Sequence, residues 1–232
     1  MSAVSSGAPF TKAMRSVFVY EWPVRLWHWV NALCIVVLAV TGYYIGTPFL
    51  PNVQGEAVDQ FVMGYMRFAH FAAGYVLAAM LVGRLYWAVV GNRYARDVFF
   101  PPLFKGEIWA DMWMRVRYYL FLKKDVPVSA GANGLEVISM FFMFTLPIIF
   151  LVLTGFALYA EGAQPQSWQA AAFGWVRQLF GDSQALHTWH HMAAWILVVF
   201  VMVHVYLVIR QDIMSKQSYI STMINGHRMF KD

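Results

Sequence analysis

Charged residues and cysteines are both scarce in this chain of 232 residues. Only 12% of the residues are Asp, Glu, Lys or Arg, whereas 60% are hydrophobic; a soluble domain carries roughly twice that charged share. The single cysteine, Cys34, excludes an intramolecular disulfide and a cysteine-ligated iron–sulfur cluster. Because Cys34 lies inside an apolar run, we expect it to be a packing residue. The composition therefore favours an integral membrane protein.

The first 16 residues lack an apolar core followed by a small-residue cleavage site, so we expect a short polar tail rather than a signal peptide. The isoelectric point is near 9.3, but the basic residues lie beside apolar runs and not in a separate soluble domain. This pattern indicates positive charge on the cytoplasmic side of a membrane, and it disfavours nucleic-acid binding. Aromatic residues make up 18% of the chain, which fits anchoring at membrane interfaces and packing around a large flat cofactor.

Long apolar runs, not short alternating segments, predict that every span is a helix. The runs place four spans at about residues 26–45, 68–90, 138–159 and 187–209. The fourth contains no Asp, Glu, Lys or Arg from Met192 to Ile209 and is long enough to cross a bilayer. The predicted fold class is all-α, an integral membrane four-helix bundle that forms a single domain over residues 1–232.

The connection between the second and third spans predicts an additional amphipathic helix on the cytoplasmic membrane surface. Its polar residues Glu107, Asp111 and Arg115 lie off an apolar stripe. The stripe recurs at helical spacing and consists of Ile108, Trp109, Met112, Trp113, Val116 and Leu120. A second aromatic segment, residues 168–180, predicts a short interfacial helix before the fourth span.

Lysines and arginines outside the spans predict the orientation of the chain. Fourteen lie in the two terminal tails and in the connection between spans two and three, and only Arg67 and Arg177 lie in the other two loops. We therefore expect both termini and that connection to be cytoplasmic.

Two histidines of the fourth span, His190 and His204, are 14 residues apart. At about 100° per residue they lie within about 40° of the same helix face and about 21 Å apart along the axis. His28 and His70 each lie about one turn inside the first and second spans. With the predicted topology, His28 and His204 share the inner depth, and His70 and His190 share the outer depth.

Two pairs of imidazoles at two depths are typical of two bis-histidine b-type haems, one in each leaflet. A single histidine in such a span is as readily a hydrogen-bonded packing residue, but four at paired depths favour haem. Zinc is disfavoured because no thiolate or carboxylate joins these histidines within a span. His187 and His191 are ambiguous and could be hydrogen-bonding neighbours of the ligands, whereas His227 is expected to be solvated.

Seven short motifs are spread along the chain. They are Arg25-Leu-Trp-His28-Trp29, Arg67-Phe-Ala-His70, Gly155-Phe-Ala-Leu-Tyr159, Glu161-Gly-Ala-Gln164, His187-Thr-Trp-His190-His191, His204-Val-Tyr206 and Ser221-Thr-Met-Ile-Asn-Gly226. These motifs resemble the b-type cytochrome subunit of membrane-bound [NiFe]-hydrogenases, a group related to the cytochrome subunit of respiratory formate dehydrogenase. The resemblance extends over essentially the whole chain from Val19.

This resemblance implies a subunit of the bacterial cytoplasmic membrane that anchors a periplasmic hydrogenase with a small and a large subunit. Electrons from H₂ would pass through two b haems, ligated by His28 with His204 and by His70 with His190, to the quinone pool. The outer loop Glu161–Gln164 would contact the small subunit. The chain itself lacks the cysteines of a nickel–iron site, so it would carry electrons without containing the hydrogenase active site.

Further candidates surround the two predicted haem sites. Arg67 and Arg84 are candidates for haem propionate partners, and Arg84 could alternatively extend its guanidinium to the membrane surface. The resemblance implicates an asparagine before the third span in quinone binding, which Asn133 matches, although an Asn-Gly pair is also typical of a turn. Glu136 and Tyr206 are further quinone-site candidates, because the topology places them near the inner face.

Three alternative functions remain open at this point. The chain could be the cytochrome subunit of another dehydrogenase, such as formate dehydrogenase, which would differ only in its partner. It could be a histidine-lined metal transporter, which would bind Zn²⁺ or Fe²⁺ without a haem spectrum. It could also be a purely structural membrane anchor, which would tolerate the loss of all four histidines.

Overall fold

A computed structural model describes residues 15–48, 61–124, 131–215 and 217–230. Four of its helices are long and apolar enough to cross a membrane, and the all-α class is confirmed. They are α1 (Trp22–Gly46), α2 (Val62–Val90), the composite helix Gly134–Glu161 and α8 (Ser183–Met214). The composite helix consists of α5 (Gly134–Met140), a π-helical turn (Phe141–Thr145) and α6 (Leu146–Glu161).

Each spanning helix extends beyond the predicted span at one or both ends. The apolar pattern marks the part of a helix in hydrocarbon, whereas capping side chains determine where the helix begins. Asn133 accepts a hydrogen bond from the Glu136 amide at 3.0 Å, and Glu136 returns the contact to the Asn133 amide in a capping box. The Asp182 side chain accepts a hydrogen bond from the Ala185 amide at 2.7 Å and caps the start of α8.

Pro147 lies inside the third span without ending it. A proline lacks an amide proton and crowds the preceding turn of an α-helix. The five residues of the π-helical turn, Phe141–Thr145, lie immediately before it, and the wider turn accommodates the unpaired backbone there. The span therefore continues through a break in its regular hydrogen bonding.

Four shorter helices complete the helical part of the residues that the structure describes. They are α3 (Arg93–Arg96), α4 (Gly106–Tyr119), α7 (Trp168–Phe180) and α9 (Thr222–Asn225). Helix α7 coincides with the aromatic segment that predicted a helix at residues 168–180. Its interfacial location stays a prediction.

Helix α4 forms where the amphipathic pattern predicted it, but part of its polar side is turned toward the protein. Arg115 is buried and pairs with Asp111 at 3.2 Å, while Asp111 accepts a hydrogen bond from the Gly134 amide at 2.6 Å. Glu107, at the start of the helix, is exposed. Two tryptophans of the apolar stripe are also exposed, and the membrane contact of the stripe stays a prediction.

The two ends of the described chain form a small sheet that the apolar pattern did not predict. Strand β1 (Arg15–Phe18) pairs antiparallel with β2 (His227–Phe230). The carbonyl of Gly226 accepts hydrogen bonds from the amides of Val19, at 2.8 Å, and Tyr20, at 3.2 Å. Gly226 has a φ of 84°, which favours glycine, and a Cβ there would lie 2.6 Å from the Tyr20 carbonyl oxygen.

His227 takes part in this sheet, although its side chain is exposed as expected. Its ring centroid lies 5.1 Å from that of Phe18, and its amide donates to Asn225 at 2.8 Å. The prediction of a simple solvated tail residue was therefore incomplete. Cys34 is buried in the core between the spans, as expected for a packing residue.

Candidate functional site

His28 and His204 lie side by side at one end of the bundle, on α1 and α8. The centroids of the two imidazole rings are 6.4 Å apart. Metal–nitrogen bonds to histidine are about 2 Å long, and a ring nitrogen lies about 1.1 Å from the centroid of its ring, so two imidazoles that bind one metal ion from opposite sides have centroids about 6 Å apart. The observed separation therefore fits one iron ion held between the rings.

A line of aromatic rings supports this pair. The ring of Phe200, one turn before His204, stacks on the imidazole at 5.7 Å and 22°. Phe200 in turn lies 5.8 Å from Phe144, which packs edge-on against Trp27 at 5.8 Å. Trp27 precedes His28 in α1. The same core cluster thus positions the histidines of both helices.

His70 and His190 lie at the other end of the bundle, and each contacts a neighbouring helix through a threonine. Nδ1 of His70 lies 2.9 Å from the Thr41 hydroxyl of α1. Nδ1 of His190 lies 2.8 Å from the Thr154 hydroxyl of α6. All four spanning helices therefore contribute to this site.

A glycine follows each of these threonines and faces the same histidine. A Cβ on Gly42 would lie 3.1 Å from Cε1 of His70, and one on Gly155 would lie 3.4 Å from Cε1 of His190. The absent side chains make room for the imidazoles. The Thr-Gly step occurs in the first and third spans, which lack an outer histidine. That repeated polar and small pair in an apolar run is the signal by which the sequence could have indicated Thr41 and Thr154.

His187 and His191 are both exposed, and neither shares the arrangement of the four paired histidines. Nδ1 of His187 lies 2.9 Å from the carbonyl oxygen of Ser183 in its own helix. The His191 ring lies against Gly46, where a Cβ would be 3.0 Å from its Cε1.

Arg84 is enclosed in protein near the inner pair, which does not fit the alternative of a guanidinium extended to the membrane surface. It is 3% exposed, and its Nη2 donates to the Ala95 carbonyl at 2.7 Å. The guanidinium also lies over the rings of Trp27, at 5.2 Å, and Phe99, at 5.1 Å. Arg67, the other propionate candidate, is exposed near the start of α2.

Several buried polar atoms near the inner pair have no hydrogen-bond partner among the residues that the structure describes. Two are Nε and Nη1 of Arg84, and the others belong to α1: Nε1 of Trp27, Nδ1 of His28 and Oδ1 of Asn31. Buried polar groups in proteins are nearly always paired. Unpaired donors of a buried arginine fit an anionic group at this end of the bundle, such as a carboxylate of a haem.

The three quinone-site candidates are not arranged as one group. Asn133 and Glu136 are joined in the capping box, and Asn133 also lines a cavity of about 390 Å³ with Asp97, Lys105 and Asp111. Burial raises the pKa of the Asp97 carboxyl above its ordinary value. The side chain of Tyr206 is 62% exposed on α8 and faces away from the other helices.

A buried cluster of polar side chains near the capping box was missed in the sequence. Arg228 is buried, stacks over the Tyr219 ring at 4.1 Å and donates to the Gly131 carbonyl at 3.2 Å. Burial raises the pKa of Tyr219 to about 12, so its hydroxyl stays protonated at neutral pH. The chain ends contribute this cluster, and no local pattern relates Arg228 to the third span.

Paired, half-buried imidazoles between apolar spanning helices are typical of membrane-bound b-type cytochromes. The chain belongs to the family described as prokaryotic cytochrome b561, whose model matches residues 19–226. It is 56% identical over 226 residues to the probable Ni/Fe-hydrogenase B-type cytochrome subunit of Azotobacter vinelandii, covering 97% of this chain and 94% of that protein.

Two further relatives bear corresponding names. The probable Ni/Fe-hydrogenase B-type cytochrome subunit of Cupriavidus necator is 52% identical over 231 residues, which cover 99% of this chain and 92% of that protein. The probable Ni/Fe-hydrogenase 1 B-type cytochrome subunit of Escherichia coli K12 is 45% identical over 220 residues, which cover 93% of this chain and 92% of that protein. The predicted resemblance is therefore confirmed, and it implies haem b and a role in membrane electron transfer.

Proposed function

We propose that this protein transfers electrons from a [NiFe]-hydrogenase across the bacterial cytoplasmic membrane to quinone and anchors that enzyme to the membrane. The observation that carries the proposal is the separation of 6.4 Å between the His28 and His204 rings. It brings the first and last spanning helices together at a ring separation that fits one iron ion bound by both histidines. A second pair, His70 and His190, lies about 21 Å further along the bundle, as the 14-residue interval in α8 requires.

The four histidines would hold two b haems, which when bound supply one-electron redox centres. The side chains of this chain provide the rest. The imidazoles are half-buried between apolar helices, so their contact with water is limited. Arg84 offers unpaired donors at the inner end, and Arg67 is available near the outer end. One electron-transfer site in each leaflet gives a path across the membrane.

The proposed orientation places the hydrogenase outside and the chain termini inside. It is supported by the fourteen basic residues assigned to the inner side. The pairing of β1 with β2 is consistent with it, because both described chain ends then lie on one side of the bundle. Glu161, Gly162 and Gln164 are exposed between α6 and α7, and they would contact the small subunit.

Quinone reduction would take place at the inner end, near the cavity beside Asn133. Asn133 is buried and Glu136 is half-buried at the start of the third span, and protons for quinol would enter from the cytoplasmic side. Tyr206 would contact quinone from the membrane, since its side chain faces outward. A hydrogen-bond donor at Asn133 would fix a quinone carbonyl oxygen.

Asn133 has both a capping role and the proposed quinone role, and substitution can separate them. Aspartate caps helices as well as asparagine does, but it lacks the amide donor. We expect Asn133→Asp to leave thermal stability nearly unchanged and to raise KM for quinone about tenfold, the effect of losing one buried hydrogen bond. Asn133→Ala should also destabilise the protein by about 1 kcal/mol.

The matched control for Asn133 is Ser167, which caps α7 through the Ala170 amide. Ser167→Ala should lower stability by a similar amount without changing KM for quinone. An unchanged KM in Asn133→Asp would leave Asn133 with its capping role alone.

Arg84 is proposed to stabilise the reduced state at the inner site through its positive charge. Arg84→Met keeps much of the packing against Trp27 and Phe99 but removes the charge. We expect the midpoint potential of one haem to fall by tens of millivolts, the size of a single charge effect at moderate distance. A redox titration measures this, with Arg67→Met as the comparison for the outer site. Two unchanged potentials in Arg84→Met would remove the proposed role.

The test of the whole proposal uses the protein in membranes together with its hydrogenase partner. A reduced-minus-oxidised spectrum and a pyridine haemochrome assay should give two b haems per chain, and H₂ should reduce added quinone. Co-purification with a formate dehydrogenase would identify that enzyme, and not a hydrogenase, as the partner. A folded chain that binds Zn²⁺ or Fe²⁺ but has no Soret band would favour metal transport. Within the described part of the chain, no group of three or more His, Cys, Asp or Glu side chains could hold such an ion.

A further inference from the structure

The outer histidine pair differs from the inner pair in what its Nδ1 atoms contact. Thr41 and Thr154 are 5% and 1% exposed, so their hydroxyl groups are withdrawn from water and lipid. Each hydroxyl lies within hydrogen-bond distance of the Nδ1 atom of one outer histidine, at 2.9 Å for His70 and 2.8 Å for His190. Two different helices provide the same contact.

The remaining contacts of the hydroxyl groups determine the direction of these hydrogen bonds. Thr41 Oγ1 is 2.6 Å from the carbonyl oxygen of Val37, and Thr154 Oγ1 is 2.8 Å from that of Phe150. Two oxygen atoms approach that closely when a proton lies between them. A threonine hydroxyl has only one proton. It is therefore donated to the carbonyl, and the hydroxyl oxygen accepts a proton from Nδ1 of the histidine.

The position of that proton determines which ring nitrogen remains available. With Nδ1 protonated, the lone pair of a neutral imidazole is on Nε2. His70 and His190 are therefore held as the tautomer whose Nε2 can bind a metal. Gly42 and Gly155, the residues after the two threonines, keep the backbone close to the rings.

The inner pair lacks an equivalent contact at His28. Its Nδ1 atom is buried and has no hydrogen-bond partner among the residues that the structure describes. The neighbour of that ring is Trp29, whose ring packs edge-on at 5.0 Å. The two sites therefore use the same ligand type in different hydrogen-bonding environments.

We infer that Thr41 and Thr154 are positioning residues that tune the outer site. A hydrogen bond from the second ring nitrogen fixes the orientation of a histidine ligand and makes its metal-binding nitrogen more basic. A more basic ligand stabilises ferric over ferrous iron and lowers the midpoint potential. The inference rests on the proposed function, because it assigns the outer histidines to a haem. A lowered outer potential favours electron flow toward the inner site.

The inference is tested in the full-length chain, in membranes, with Thr41→Val and Thr154→Val. Each substitution keeps the size of the side chain and removes the acceptor. A redox titration should give an upward shift in one midpoint potential and no change in the other. The low-spin ferric EPR signal of the same haem should shift its g values. Affinity for that haem should fall by about tenfold to a hundredfold.

Three further variants distinguish a local hydrogen bond from a general loss of structure. Thr41→Ser and Thr154→Ser keep the hydroxyl and should retain the wild-type potentials. Thr145→Val removes another buried hydroxyl of the third span, which donates to the Val98 carbonyl at 3.1 Å and contacts no histidine. It should leave the outer haem unchanged.

The possible results separate this inference from the proposed function. A valine variant that loses one haem, while the matching serine variant retains it, would support the inference. A shift in one midpoint potential would support it equally. Two haems with unchanged potentials and EPR signals in both valine variants would overturn it and leave the proposed function intact. Equal shifts at both haems, or the same shift in Thr145→Val, would also overturn it. A wild-type chain without haem would overturn both.

Discussion

Replacing His204 with alanine is expected to reduce the haem content from two to about one per chain and to stop H₂-dependent quinone reduction. The physical reason is the pairing of His204 with His28, since an iron ion held by both imidazoles would lose one of its two protein ligands. Even the loss of an outer-shell partner costs up to about a hundredfold in metal affinity or activity, so the loss of a ligand should cost more. A pyridine haemochrome assay measures the haem content per chain, and a quinone-reduction assay measures the rate of electron transfer from H₂.

The pairing itself is tested by combining substitutions. If His28 and His204 serve one site, the double alanine variant should lose no more haem than either single variant, because coupled residues are not additive. His204→Ala combined with His190→Ala should lose both haems. His187→Ala is the control on the same helix, since its ring is exposed, and it should retain both. A double variant of His28 and His204 that loses both haems would contradict the pairing.

Replacing Gly42 with valine is expected to remove the outer haem while the inner one remains. A Cβ at this position would lie only 3.1 Å from Cε1 of His70, and the branched side chain would force the ring away from its position between the helices. Protein interiors are close-packed, so such a group is not absorbed without displacement. Haem content per chain and the two midpoint potentials measure the effect.

The space around a Cβ at other glycines predicts how much haem each valine substitution should remove. Gly155→Val should be milder than Gly42→Val, because its Cβ would be 3.4 Å from His190. Gly74→Val on α2 should keep both haems, since nothing lies within 4 Å of a Cβ there. All three changes have the same intrinsic effect on a helix, so their differences report contact with histidine. Equal haem loss in all three would contradict the proposed cause.

The spans were predictable, and the four histidines could be proposed as ligands, because both depend on local patterns. An apolar run of about 20 residues has one stable arrangement in a bilayer, and a 14-residue interval fixes the depth of His190 relative to His204. Thr41 and Thr154 were not predicted, because a threonine in an apolar helix usually bonds only to its own backbone. Their significance depends on which helix packs beside them.

The sequence did not predict the inward-facing Asp111 and Arg115 of α4 or the terminal sheet, for a related reason. The pattern of α4 separates a polar from an apolar face, but it does not say which face meets the protein. Asp111 is directed inward by the amide of Gly134, which lies far along the chain. Strands β1 and β2 are four residues each, too short to be recognised before their pairing is known.

The order in which the chain is synthesised has a consequence for haem insertion. Both histidine pairs include a residue of α8, which begins only at Ser183. At about 5–20 residues per second, synthesis of the segment between α1 and α8 takes on the order of ten seconds or more. Once synthesised, His28 and His70 would wait in their helices for partners until α8 is complete. If the two pairs hold haem as proposed, haem loading would be a late step, and a chain truncated before α8 would supply only one protein ligand to each haem.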